Sequence, residues 1–186
     1  GYDDTDKIVT FVSRLVWEKN LQTFVDTVQK LNETHDNIRA MVVGDGPAKK
    51  ELEHMLPDAH FTGFITGDAS SRAYASSDVF LFPSETETFG NVTLEAMSSG
   101  LPCVVADATG SRSLVESGVN GFLAPPRDTN AFAECVSDIT ENEKLTKDMS
   151  KAARQKALAY SWENVNGKLL ENYQEAVNEP RPELKF

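Results

Sequence analysis

Positive charge is in short supply: 18 lysines and arginines stand against 29 aspartates and glutamates, for a formal net charge of −11. That surplus would repel a polyphosphate backbone unless a local basic patch overrode it, so nucleic acid is not expected as a partner. Cysteine is scarce as well. Cys103 sits in an apolar run and Cys135 in a helical pattern, with no metal-ligand spacing between them. Two cysteines cannot build the disulfide framework of a small secreted domain, which favours a reducing compartment. No stretch approaches the roughly 20 apolar residues needed to cross a bilayer, and Gly1-Tyr2-Asp3-Asp4 opens no charged-then-apolar leader. A soluble, cytoplasmic chain is expected, with peripheral attachment at the cytoplasmic face of a membrane left open. His35, His54 and His60 share no ligand spacing with one another or with the cysteines, and neither a Ser-His-Asp arrangement nor Gly-x-Ser-x-Gly occurs. Neither a metal nor a nucleophilic hydrolase is indicated. Asp4-Thr5-Asp6 has the Asp-x-Asp form by which some transferases hold a nucleotide-bound cation, but it precedes the first strand and reads as a solvated terminus.

What is present is ordinary globular material: 40% hydrophobic and 25% charged residues over 186 positions, enough for one core and short for two domains. Strand and helix patterns alternate. Ile8–Ser13 is a β-branched and aromatic run, and Asn20–Leu31 carries apolar residues at helical spacing. Ile38–Val43 is the next strand, Gly44-Asp45-Gly46-Pro47 a turn, and Ala48–Leu56 a helix opened by proline. His60–Gly63 is a brief strand and Asp68–Ser77 a helix. Asp78–Phe82 is a strand whose residues after Asp78 are all apolar, hence buried on both faces, and Pro83 stops it. A helix over about Val92–Ser99 ends at Gly100, a strand runs Pro102–Ala106, Thr109-Gly110 makes a turn, and Gly121–Ala124 is the last strand. Helices follow at Ala131–Ile139, Glu143–Ala159 and Trp162–Val177, until Pro180 and Pro182 break the chain. The pattern predicts an α/β fold with a Rossmann-like, doubly wound parallel sheet, whose ligands bind beyond the carboxyl ends of the strands.

Three strand-end loops carry suitable chemistry. In Ser13–Asn20, Arg14 offers a planar fork of donors and Lys19 a mobile ammonium just before a helix; both suit phosphate oxygens, and both are equally open to simple solvation or pairing with Glu18. The loop Ser84–Asn91 is acidic, contains Gly90 and runs into a helix whose first amides attract anions. Carboxylates at Glu85, Glu87 and Glu95 accept from sugar hydroxyls, while an anion takes the helix start. The plain alternative makes Glu87 a helix cap and Glu95 a solvated helix residue; Leu94, Ala96 and Met97 weigh against it, because a glutamate in so apolar a stretch needs a partner. Thr109-Gly110-Ser111-Arg112-Ser113 and Gly44–Pro47 could border a ligand, yet each alone reads as an ordinary turn.

Taken together, Ser13-Arg14-Leu15 with Glu18-Lys19-Asn20, Val42–Pro47, Phe61-Thr62-Gly63, Tyr74–Val79, Phe82-Pro83-Ser84, the run Glu87-Thr88-Phe89-Gly90 leading to Leu94–Met97 and Gly100-Leu101-Pro102, and Gly118–Leu123 resemble the C-terminal domain of family-4 retaining glycosyltransferases. The likeness covers about residues 7–175. It implies one Rossmann-like half of a GT-B enzyme: a core over about 7–160, a crossover helix over about 161–178, and an N-terminal acceptor domain absent from this chain. It implies a UDP- or GDP-linked sugar donor, no obligatory metal and no cofactor. Residue by residue, Arg14 and Lys19 would hold the diphosphate and help it leave, Glu87 would contact sugar hydroxyls, and Glu95 the ribose. Backbone amides of Phe89, Gly90 and Asn91, with Val92 beside them, would meet sugar and phosphate, and Gly63-Phe64-Ile65 would line the base. Ser13 departs from the family's usual glycine, and Thr109 and Ser113 from its Gly-Gly-x-x-Glu turn, which puts contacts from that third loop in doubt. Glu-Thr-Phe-Gly-Asn with Gly-Ser-Arg-Ser-Leu-Val is nearer the mannosyltransferase-like and sulfoquinovosyltransferase-like branch, without fixing the sugar.

The resemblance thus leads to the expectation of a retaining hexosyltransferase, acting on an alcohol carried by a lipid or glycan, of which this domain alone would turn over little. A sugar-nucleotide epimerase or phosphorylase of the same architecture is the rival among enzymes. A non-catalytic sugar-nucleotide module, or an α/β interaction domain, is the rival outside them.

Overall fold

A computed structural model describes residues 2–178; Pro180 and Pro182 lie outside the described residues. Six parallel strands, β1 (Lys7–Val12), β2 (Ile38–Val43), β3 (His60–Gly63), β4 (Val79–Phe82), β5 (Cys103–Ala106) and β6 (Gly121–Ala124), form one sheet in the order β3-β2-β1-β4-β5-β6. The chain builds outward from β1 through β2 to β3, then returns to β1's other side for β4, β5 and β6. That reversal between β1 and β4 is the switch point where a doubly wound sheet opens a crevice at its carboxyl ends. β4 and β5 are buried at every residue, as a strand covered on both faces must be.

Eight helices accompany the strands among the described residues: α1 (Leu21–Asn32), α2 (Lys49–Met55), α3 (Asp68–Ala75), α4 (Asn91–Ser98), α5 (Thr109–Arg112), α6 (Thr129–Glu141), α7 (Glu143–Leu158) and α8 (Trp162–Asn178). The predicted turn at Thr109-Gly110 is instead the short helix α5, and a single 3-10 turn, Trp17–Lys19, forms inside the first loop. Both are four residues or fewer, too short for hydrophobic periodicity to register. Helix α6 starts two residues earlier than its apolar pattern because the Asp128 carboxylate accepts from the Ala131 amide, an N-cap that periodicity alone does not reveal. Its partner in packing is α1, and α4 lies against α7. Phe11 stacks obliquely on Phe24 and Phe82, with ring centres 5.2 and 5.6 Å away, so β1, α1 and β4 share one aromatic centre beneath the switch point.

The α1 and α6 ends are also tied by His35 and Glu141, whose Nε2 and Oε1 are 2.6 Å apart. The Glu141 hydrogen bond favours the imidazolium and raises the His35 pKa above its ordinary value. A raised folded-state pKa stabilises the fold fully below the unfolded value of about 6.5, and the benefit fades as pH rises through the folded value. Glu141 is well exposed, so solvent screening limits the pair to under about 1 kcal/mol. Urea unfolding across that window should show stability falling with pH, and His35→Gln should remove this part of the slope. An identical slope in the variant would dismiss the linkage.

Candidate functional site

The carboxyl-end loops are held together backbone to backbone. Gly44 adopts φ +137, and a Cβ there would lie 1.8 Å from the Ser13 carbonyl oxygen; one on Gly46 would lie 2.4 Å from that of Leu15. The Leu15 amide donates to Asp45 O at 2.8 Å and the Ala48 amide to Leu15 O at 3.1 Å. The turn after β2 therefore braces the loop that carries Arg14, and Gly44 and Asp45 also reach the crevice wall. The turn thus forms part of the crevice wall, where a ligand that it could border would lie.

The loop after β4 is pinned from two sides. Asn20, in left-handed conformation at the start of α1, donates its amide hydrogens to Pro83 O (2.9 Å) and Glu85 Oε1 (2.7 Å). Arg127, beyond β6, donates to the same Glu85 oxygen at 2.8 Å. The Arg127 bond first, then that from Asn20, lowers the Glu85 pKa, so this carboxylate stays ionised as an internal tether. From the other side, the Gly110 amide donates to Glu87 O at 2.8 Å and the Thr109 hydroxyl to Glu85 O at 2.8 Å. The third loop thus props the second from beneath, with Ser111 buried and bonded to Thr93.

Of the eleven expected site residues, five meet on this scaffold in one cavity, while Lys19, Gly63, Glu87, Phe89, Gly90 and Asn91 do not line it. Arg14, Phe64, Ile65, Val92 and Glu95 line one cavity of about 760 Å³ at the switch point. Phe64 is 77% exposed, an aromatic face left uncovered at the cavity's edge. Gly63 ends β3 just before it, accepting from the Gly44 amide. Arg14 rests on Glu18 (Nη2 to Oε1, 2.8 Å), with both side chains mostly in solvent; such a pair is worth about 1 kcal/mol or less and yields easily to a phosphate. Sequence left pairing with Glu18 open for Arg14 and Lys19 alike; Arg14 makes that pair, and Lys19 does not.

Lys19 is instead bonded to Glu87, Nζ to Oε1 at 2.6 Å, and the Ser84 hydroxyl donates to the same oxygen at 3.0 Å. Both charged side chains are about 15% exposed, so this pair is shielded where the Arg14 pair is not. One ammonium donor is taken by Glu87; two remain. Glu87 and Lys19 stand together and are not part of the cavity's lining. Gly90, at φ +96, turns the chain into α4, and no side chain caps that helix, so the amides of its first turn, from Asn91 onward, keep their pull on an anion. Phe89 leans on Tyr160, ring centres 5.6 Å apart, at the junction of α7 with α8. Glu95 projects from α4 as an exposed carboxylate held at 3.0 Å by the buried Tyr74 hydroxyl.

Three contributors carry no local signal in the sequence. Tyr74 reads as a core aromatic in a helix, and only the topology sets its hydroxyl against Glu95. Asn20 and Arg127 read as loop polars, because nothing local indicates that both converge on Glu85. Among the described residues no three His, Cys, Asp or Glu side chains gather to hold a metal ion, and no helix is long and apolar enough to cross a membrane.

The family model for glycosyl transferases group 1 matches residues 1–156. The sulfoquinovosyl transferase SQD2 of Arabidopsis thaliana is 38% identical over 91% of this chain and 34% of its own length. A GDP-mannose-dependent alpha-mannosyltransferase of Corynebacterium glutamicum is 35% identical over 92% of this chain and 40% of its own. Among solved structures, HepE of Anabaena in complex with UDP and glucose superposes with TM-score 0.80 at 28% identity, over 91% of this chain and 48% of that one. The chain spans less than half the length of these relatives.

Proposed function

Because the chain belongs to the glycosyl transferases group 1 family, with the Rossmann-like sheet of GT-B glycosyltransferases, we propose that it is the C-terminal, donor-binding domain of a retaining hexosyltransferase. Its donor would be a UDP- or GDP-linked hexose, consistent with the GDP-mannose of one relative and the UDP bound to HepE. The acceptor, an alcohol on a lipid or glycan, would be held by an N-terminal domain across the crevice. One observation carries the reading: a single cavity at the switch point joins an exposed aromatic wall, Phe64, to a phosphate-suited Arg14 and a hydroxyl-accepting Glu95. Base, diphosphate and ribose need these three chemistries together.

In this reading the diphosphate lies between Arg14, the two remaining donors of Lys19 and the start of α4, which stabilise the charge that develops as it departs. These preorganised positive groups do the work of a metal, so none is required. Glu87, already held by Lys19, accepts from the hexose hydroxyls. Glu95 accepts from the ribose, while Phe89, Gly90 and Asn91 present amides to sugar and phosphate.

Calorimetric titration of the full-length protein with UDP and GDP, with and without EDTA, tests the reading. One nucleotide should bind, EDTA should change nothing, and Glu95→Ala should weaken binding about tenfold or more, as expected on losing charge-assisted hydrogen bonds. Absence of binding at millimolar nucleotide would refute the donor site, and loss of binding in EDTA would refute metal independence.

A further inference from the structure

Tyr74 has a hydroxyl that its packing does not need. The residue is 3% exposed, and its ring meets the edge of Phe80 with centres 6.2 Å apart, a contact that phenylalanine would keep. A buried phenol needs a partner for its proton. The hydroxyl lies 3.4 Å from the Val92 carbonyl oxygen and 3.0 Å from Glu95 Oε2, and it has one proton; the nearer and charged acceptor takes it. Burial first, and then the Glu95 charge, raise the Tyr74 pKa, so the phenol remains a donor throughout the range in which enzymes work. Glu95 is itself exposed at the cavity, on a flexible three-torsion side chain, and no other described residue donates to its carboxylate.

We propose that Tyr74 is a positioning residue for donor binding, its hydroxyl fixing Glu95 Oε2 so that Oε1 is presented to the ribose hydroxyls of a nucleoside diphosphate. The inference rests on the donor-site reading above and adds to it a residue in the wall of the same cavity, 3% exposed, that acts on the donor through Glu95. Tethering one oxygen removes most of the side-chain freedom that donor binding would otherwise have to restrict, which is how a buried support strengthens the ligand contact made by an exposed group. The effect belongs to the ribose alone, because the base meets Phe64 and the diphosphate meets Arg14.

Nucleotide discrimination is the readout. In the full-length protein, Tyr74→Phe should raise the Kd of the ribonucleoside diphosphate about tenfold, while the 2′-deoxy or 3′-deoxy form, whichever the unsubstituted protein binds less well, is held nearly as before. The donor KM should rise with kcat little changed. Added to Glu95→Ala, Tyr74→Phe should have no further effect on binding. Equal weakening of ribo and deoxy forms would make Tyr74 merely structural and overturn the inference, as would unchanged binding in Tyr74→Phe. If the unsubstituted protein binds neither UDP nor GDP, the donor-site reading falls, and this inference with it; if it binds but Tyr74→Phe discriminates as before, only the inference falls.

Discussion

Replacing Lys19 by alanine should lower kcat of the full-length enzyme by roughly 100- to 1000-fold, the range seen when one preorganised donor to a developing anion is lost. The donor KM should move far less, because in the proposed reading Arg14 and the start of α4 would still bind the ground-state diphosphate. The shielded position of the pair is the reason for so large an effect. Lys19 and Glu87 are about 15% exposed, and charge placed in such a site acts through a lower effective dielectric than the solvated Arg14 does. Lys19→Ala also strips Glu87 of its cation and leaves it with the Ser84 hydroxyl, so a fall in rate could come from a displaced Glu87 instead. A double-mutant cycle separates the two. If Lys19 acts on the leaving group, Lys19→Ala in a Glu87→Gln background should still lose most of its factor. If the second substitution has no further effect, Lys19 serves only to hold Glu87, and its proposed role on the diphosphate is wrong. Arginine at position 19 should restore little, since a planar fork cannot reproduce a compact ammonium bonded to Glu87 at 2.6 Å.

The ion pair also marks where sequence reading stops. The apolar run of β4, the proline that ends it and the helix beyond Gly90 were legible because each is a local property of five to ten residues. So was the alternation that implied a parallel sheet, and the six observed strands fall within a residue or so of the expected ones. The residue types suited to phosphate and to hydroxyl were legible for the same reason. Their pairing was not. Lys19 and Glu87 are 68 positions apart, and only the neighbouring placement of β1 and β4 brings their loops together. The same holds for Tyr74 with Glu95 across α3 and α4, and for Arg127 with Glu85 across β5.

The loop glycines show the converse limit. Gly44-Asp45-Gly46-Pro47 carries an evident turn signal, but a turn signal reports backbone dihedrals and not what lies against the backbone. The contact of Gly44 with the Ser13 carbonyl, and of Gly46 with that of Leu15, leaves no trace in local composition. The departure of Thr109 from the family's glycine is answered in the same way. Its hydroxyl donates to Glu85 O and receives the Glu87 amide, so a side chain does the work of holding the loop where the family usually has none.

Gly110 beside it allows no side chain, and Gly110→Ala should damage the site although it adds a single methyl. A Cβ there would lie 2.5 Å from the Phe89 nitrogen and 2.7 Å from both the Glu87 oxygen and the Phe89 carbonyl carbon, all backbone atoms that cannot rotate away. The segment Glu87–Phe89 must move, and the Gly110 amide bond to Glu87 O goes with it. Overpacking of this kind costs about 1–3 kcal/mol in stability. Its larger effect should fall on turnover: a shift on the order of 1 Å in groups that orient the reacting sugar can reduce the rate about 100-fold. Gly167→Ala is the matched control, because nothing lies within 4 Å of a Cβ at that position in α8. It should leave kcat unchanged and, by improving helix propensity, cost no stability. Should Gly110→Ala turn over like Gly167→Ala with its melting temperature preserved, the loop after β4 does not need α5 beneath it to place Glu87, and the geometry on which the proposed hexose contacts depend would have to come from the opposite domain.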